Sequence, residues 1–538
     1  MTRTSRDAAD DRLLLLHPDD DCLVARVRIP AGEELRVGDA TVSLRDELRV
    51  GHKVARRALP AHAPVRKCGA VIGTTSQAVA AGERLHVHNL ESDYLPAHLV
   101  GGEAVSGGGG RRAAVALHPE DALDGLADGR RGATRAPVVP MLTGYQRADG
   151  RKGIRNEVLV VYTVECAHHV ASKIAAGFDS EGPADVQVIG FPGCYPNEHA
   201  QRVLAALCTH PNVAGALLVS LGCEAFDSKE LLQAVRESGR WADRLIIQES
   251  GGTASTIARG RALVASAREI AAGTPRVPMA MSDLVVGTIC GGSDSTSVLT
   301  ANPAVGRAFD RLVADGASCI FEETGELIGC EENLRARGVT KDVGDDLAAR
   351  VQKAAVYYEQ LGHASIAPGN LAGGLTTIEE KSVGAYAKSG SAPIAGVIEP
   401  GERPAGPGLY LLDVVPDGPV RYGYPNINDT TEVIELIACG SHVILFTTGR
   451  GSVVGSVISP VIKVCANPDT YEKMSDDMDI DAGKVLRAAA SLEEVGLEVY
   501  EAVARAAHGE PTRSEALGHQ EFQLGYKVFR SLEPACLA

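Results

Sequence analysis

Aromatic residues are scarce in this chain: phenylalanine, tyrosine and tryptophan together make up 4% of 538 residues, with a single tryptophan. The 59 glycines point the same way, toward small residues and close backbone packing rather than large rings. Long apolar runs are missing. None approaches the roughly 18 residues needed to span a bilayer, so no transmembrane segment and no membrane partner is expected. Near the start, Leu13 to Leu16 is only four apolar residues long among many acids, which does not fit a signal peptide and leads to a cytoplasmic expectation. Positive charge is in deficit. Fifty-three lysines and arginines face 69 acids, and a net charge of −16 argues against a nucleic-acid surface or anionic lipid. Twelve cysteines run from Cys22 to Cys536 without one CxxC pair. That spacing excludes a zinc ribbon or a ferredoxin run and reads as thiols in a reducing compartment, most of them small buried hydrophobes.

The length exceeds one ordinary core, and about 150 residues per domain gives roughly three or four units. Short alternating segments such as Cys22 to Arg28, Thr41 to Leu44, Ala70 to Ile72 and Leu85 to His88 predict a β-rich module over 1–100. Four consecutive glycines, Gly107 to Gly110, mark 101–140 as a linker. Strand and helix patterns then alternate over 141–281, with strands at Val158 to Val164, Val186 to Ile189 and Ala214 to Leu221. A second α/β pattern fills 282–538, with strands expected near Asp283 to Ile289, Ile394 to Val397, Leu409 to Val414 and Val443 to Thr447. The fold class is therefore α/β: a small β-rich module followed by two α/β domains with largely parallel sheets.

Polar, glycine-rich segments carry the chemistry. Cys290-Gly-Gly-Ser-Asp294 follows an apolar run, and Thr300-Ala-Asn-Pro303 comes soon after. Loops of the same kind are expected at Pro368 to Gly374, Lys381 to Gly390 and Phe446 to Gly451. Together they suggest a site for a small, polyhydroxylated anion, and hence an enzyme. Arg450, bracketed by glycines, suits a bidentate grip on a carboxylate, although a surface turn would look the same. Phe321-Glu-Glu-Thr-Gly-Glu326 offers carboxylates as ligands for a hard cation or as bases, and a helix start rich in acids is equally consistent. Lys381 and Lys388 suit a base if held in a dry pocket, but most lysines are simply solvated. Alternation places His86 and His88 on one strand face, as in a metal-ligand pair, with His52 in the same module, although exposed strand histidines without a third partner look the same. Cys166, Cys194 and Cys223 each fall just past an expected strand, where they could converge on one edge or merely occupy tight turns. No loop fits a dinucleotide or phosphate-loop motif.

Taken together these segments resemble the altronate/galactarate dehydratase family, to which the sulfolactate sulfo-lyase large subunit is related. The resemblance rests on Gly144 to Asn156, Leu221-Gly-Cys-Glu224, Cys290 to Asp294 with Thr300 to Pro303, Pro368-Gly-Asn370 with Gly373 to Thr376, Glu380-Lys-Ser382, Phe446 to Gly451 and Asp481-Ala-Gly483. Gly51-His-Lys53 looks like part of the small SAF domain that the family carries ahead of its catalytic part. The resemblance implies a hydro-lyase that removes water from a sugar acid to give a 2-keto-3-deoxy acid, using Fe2+ or Mn2+. In that frame Lys381, Lys388, His52 and Glu326 are catalytic candidates. Ser293, Asp294, Asn302, Asn370, Thr376 and Arg450 are candidates for substrate binding, and Cys290, Glu322, His86 and His88 for metal binding. A small-molecule sugar acid is the expected partner, in a homo-oligomer. Ser295-Thr-Ser-Val298, Val383 and a long segment over Gly408 to Gly418 with Tyr424 to Asp429 depart from the family pattern and leave the sugar acid open. Three rival readings remain: elimination of sulfite, a non-catalytic sugar-acid sensor, and an iron–sulfur dehydratase using Cys194, Cys223 and Cys290.

Overall fold

The computed structural model describes residues 10–38, 40–94, 141–178, 185–195, 197–417 and 428–527. The expected linker over 101–140 and the stretch 418–427 lie outside the described residues. Among the described residues no helix is long and apolar enough to cross a membrane.

Residues 10–94 form the β-rich module. Its largest sheet orders Leu13–Leu14, Cys22–Ala25, Lys53–Ala55 and Arg84–Leu85, all antiparallel. The pair Glu34–Val37 and Ala40–Ser43 and a three-stranded sheet around Ala70–Thr75 complete it. Two small apolar cores, around Leu35 and Ile72, fill the space between them. The strand expected over Leu85 to His88 stops at Leu85, because the Asn89 side chain accepts from His86 N (3.0 Å) and closes a turn. His86 and His88 therefore do not alternate along one strand.

The middle domain carries a four-stranded parallel sheet in the order Val186–Gly190, Glu157–Tyr162, Val213–Ser220 and Trp241–Ile246. The last domain carries seven parallel strands: Ile394–Ile398, Gly408–Leu412, Ser318–Phe321, Val285–Cys290, Val443–Thr448, Val461–Cys465 and Ile480–Asp481, in that spatial order. Helices cover both faces, which is why central strands such as Val443–Thr448 read as continuous apolar runs rather than alternating ones. One apolar core joins this sheet to the helix Glu198–Cys208 of the middle domain.

The sheet order positions the site. From Val285–Cys290 the chain moves outward on one side to Ser318–Phe321; from Val443–Thr448 it moves outward on the other to Val461–Cys465. Their neighbouring carboxyl ends form a topological switch point, where open α/β sheets leave a crevice for ligands.

Two expected loops are helices. Pro368 to Gly374 contains the short helix Pro368–Ala372, and Lys381 to Gly390 lies largely within the helix Ile378–Lys388. Thr377 caps the latter by accepting from Glu380 N (3.3 Å). Every residue of this helix is buried, so its sequence shows no amphipathic period. Gly384 is required there, since a Cβ would stand 2.9 Å from Val298.

Candidate active site

Cys290 ends its strand at the switch point and sits 4% exposed. Its Sγ lies 3.2 Å from a carboxylate oxygen of Glu323 and 3.2 Å from one of Glu326. Ser293 donates to the same sulfur at 3.1 Å, and Glu323 accepts from Cys290 N at 3.0 Å. Glu323 follows the neighbouring strand Ser318–Phe321, and the 3-10 turn Thr324–Glu326 brings it and Glu326 to one side. In such a turn residues three apart eclipse. The helix Ile378–Lys388 supplies two cations: Lys388 pairs with Glu323, and Lys381 pairs with Glu326 while donating to Ser365 O at 2.7 Å.

Burial first, then the Glu326 carboxylate, pushes the Cys290 thiol up to about 12, so without a metal it keeps its proton. For Lys381, burial favours the neutral amine, but the charge and hydrogen bond of Glu326 together with the charges of Cys290 and Glu432 make the net shift upward. Among the described residues Cys290, Glu323 and Glu326 are the one group of three or more cysteine, histidine or acidic side chains whose donor atoms all lie within 4.8 Å of one another. A thiol and two carboxylates in that space suit a divalent cation whose charge would displace the thiol proton and loosen both lysine pairs.

Glu322 points elsewhere. It is buried, neither carboxylate oxygen has a hydrogen-bond partner, and it forms no part of the Cys290 group. Burial foremost, then Glu432, holds its carboxyl well above the usual range; Glu432 is raised in turn by burial and Asp429.

A cleft of about 490 Å³ reaches the end of the Cys290 loop at Asp294 and is lined by Arg28, Arg49 and His52 of the β-rich module and by Arg450 and Lys473 of the last domain; Cys290, Glu323 and Glu326 do not line it. Asp294 is fixed by Thr296 N (2.8 Å) and Asn467 Nδ2 (3.0 Å). Arg450 is exposed and donates to Gly369 O at 3.0 Å. His52 is buried with Nδ1 unpartnered, and burial foremost, then Arg84, pulls its pKa down to about 3. Asn370 donates to Ser293 O at 2.8 Å and so fixes the loop. Asn302 lies in the helix Ala301–Ala314 with Oδ1 buried and unpartnered. A larger cavity, about 730 Å³, lies at the amino end of the same sheet; sheets of this kind bind at the carboxyl end, which favours the smaller cleft, reached there by Asp294.

Thr376, His86 and His88 stand apart from the cation group. The Thr376 hydroxyl accepts from Lys53 Nζ (2.6 Å) and lies 3.1 Å from His86 Nδ1; His88 is exposed. Sequence reasoning did not single out Glu323, Lys53, Lys67 or Glu380. The Glu323-x-x-Glu326 spacing was the available signal for the first. Nothing local signals the others: Lys53 and Lys67 reach Glu380 at 2.8 and 2.7 Å from more than 300 residues away.

Three family models match the chain: the altronate/galactarate dehydratase SAF domain over residues 11–93, the D-galactarate dehydratase/altronate hydrolase second domain over 144–272, and the D-galactarate/altronate dehydratase C-terminal domain over 281–529. Altronate dehydratase of Bacillus subtilis (strain 168) is 30% identical across 87% of this chain and 89% of its own length. The (2R)-sulfolactate sulfo-lyase subunit beta of Chromohalobacter salexigens is 34% identical across 71% of this chain and 96% of its own. Altronate dehydratase of Escherichia coli (strain K12) is 29% identical across 95% and 98%. With the three domains matched in order and the acid–thiol–lysine group at the sheet's switch point, the chain belongs to the D-galactarate/altronate dehydratase family and is an enzyme of the hydro-lyase class.

Proposed function

We propose that the chain removes water from a hexonate or hexarate to give a 2-keto-3-deoxy acid. One observation carries the reading: a thiol, two carboxylates and two ammonium groups meet at the switch point of the parallel sheet. A hydrogen beside a carboxylate is weakly acidic, so a base must take it while cationic groups stabilise the enediolate. Lys381 and Lys388 supply that charge, held in place by Glu326 and Glu323, and the neutral His52 imidazole of the β-rich module is the acceptor for the proton. The departing 3-hydroxyl then needs a proton, which the Lys381 ammonium can donate. Arg450 binds the substrate carboxylate at the mouth, with Ser293 and Asp294 on hydroxyl groups.

Cys290, Glu323 and Glu326 would hold the divalent metal. A thiolate among oxygen donors favours iron(II) over manganese(II). When bound, the metal supplies Lewis-acid polarisation of the substrate carboxylate.

The test is turnover on altronate, galactarate and other hexonates and hexarates with added iron(II) or manganese(II), scored by 2-keto acid release. Release from at least one of them is expected. No 2-keto acid from any, or sulfite released from sulfolactate, would overturn the reading and favour the chemistry named for the sulfo-lyase relative.

A further inference from the structure

The middle domain has its own carboxyl edge, remote in sequence from the Cys290 group, and three of its strands lead there into cysteine-bearing segments, two of them loops and one the first turn of the helix Glu165–Ala175. Glu157–Tyr162 runs into Cys166, Val186–Gly190 into Cys194, and Val213–Ser220 into Cys223. These strands are immediate neighbours in the sheet. The segments are tied together in pairs. Glu165 N donates to Pro192 O at 3.2 Å, linking the first and second, and Ala225 N donates to Cys194 O at 2.9 Å, linking the second and third. Thr163 Oγ1 donates to Glu224 Oε1 at 2.6 Å, linking the third back to the first. All three thiols are free and exposed, whereas the other eight described cysteines are buried. Burial as small hydrophobes therefore does not explain them.

A single shared ion does not fit. Two sulfurs on one zinc, each about 2.3 Å away, can stand no more than about 4.6 Å apart. The three thiols are not all within 4.8 Å of one another, since only the Cys290 group meets that limit among the described residues. A cluster whose several irons each take one cysteine spreads its ligands wider. Glycines keep the loops slim: Gly222 adopts φ +121°, and a Cβ on Gly193 would stand 1.9 Å from Tyr526 Oη.

We infer that Cys166, Cys194 and Cys223 bind an iron–sulfur cluster, as three thiolates on three irons of a [4Fe–4S] unit. Binding releases three thiol protons and leaves the fourth iron without a cysteine among the described residues, open to an oxygen donor. The inference does not depend on the role proposed for Cys290.

The test uses the full chain purified without oxygen, with iron and acid-labile sulfide counted and the visible spectrum recorded. Iron and sulfide are expected in near-equal numbers, about four each per chain, with broad visible absorbance. Sulfide and the visible absorbance should fall to background in the Cys166→Ser/Cys194→Ser/Cys223→Ser variant, with iron falling by about four per chain, and all should persist in Cys290→Ser apart from any iron held at Cys290 itself. Each single serine variant, at an exposed position and with an unchanged circular-dichroism spectrum, should lower occupancy several-fold. Iron without sulfide, or a cluster that survives the triple substitution, overturns the inference. Failure of the dehydratase reading would show differently, as an intact cluster with no 2-keto acid formed.

Discussion

Glu323 adopts φ +85°, a left-handed conformation that carries a cost of about 1–3 kcal/mol in a residue with a side chain. The conformation puts its carboxylate against Cys290 and Lys388, while the preceding Glu322 faces a separate acidic group with Glu432. One turn of backbone thus sorts adjacent carboxylates into different roles. Replacing Lys381 or Lys388 by methionine keeps the length of the side chain and removes the charge facing the enediolate. Each substitution should lower kcat by about 10²–10⁴-fold with a smaller change in KM, read by steady-state kinetics; near-normal turnover would remove that lysine from the mechanism. The buried histidines carry a pH prediction. Burial, first among the causes, lowers His52 to about 3 and His86 and His442 to about 4. Below about 6.5 the unfolded chain takes up protons at these rings and the folded chain does not. Their contribution is therefore fully present above pH 6.5 and is lost as pH falls toward 4. Denaturant unfolding should show stability rising with pH across that window, and His52→Gln should flatten the slope.

The helix Ile378–Lys388 joins the β-rich module to the Cys290 group. Glu379 accepts from Ser92 Oγ, Asp93 N and Tyr94 N (2.8–3.0 Å), and Glu380 accepts from Lys53 and Lys67; one residue later Lys381 turns to Glu326. The two ammonium groups outweigh burial and hold Glu380 down at about 2. Its contribution is present above about pH 4.5 and lost as pH falls toward 2. Glu380→Gln leaves two buried cations unpaired and should cost about 3–5 kcal/mol, whereas replacing Lys53, Lys67 and Glu380 together by methionine should cost far less. Urea unfolding of the two variants checks this; equal losses would mean that the ion triad is not what fixes the contact. This helix also marks where sequence reading stopped. Val285–Cys290 and Val443–Thr448 were legible because apolar runs announce strands covered on both faces. Cys290, Ser293, Glu326, Lys381 and Lys388 were legible as candidates, though not as neighbours. Ile378–Lys388 was not legible as a helix, since it is buried on every side and its polar residues are satisfied by partners outside the helix, those of Glu379 and Glu380 hundreds of positions away, which leaves no local pattern.

At the scale of the molecule, a net charge of −16 opposes the approach of an anionic substrate, while the cleft offers Arg28, Arg49, Arg450 and Lys473 against Glu47, Asp294 and Asp469. The two effects act over different distances. The repulsion is long-ranged and is screened first, as the Debye length falls from about 30 Å at 0.01 M salt to about 10 Å at 0.1 M. The cleft cations act at contact range and weaken only as that length approaches about 3 Å near 1 M. For a hexarate, kcat/KM should therefore rise between 0.01 and 0.1 M salt and fall again toward 1 M. Arg450→Gln should lower the curve and blunt the fall without removing the rise, because the rise belongs to the whole chain's charge. Initial rates in a salt series with a non-coordinating anion decide it. A monotonic decrease from the lowest salt would show that the arginines at the mouth govern encounter at every distance, and that the acidic surface does not reach the substrate's path.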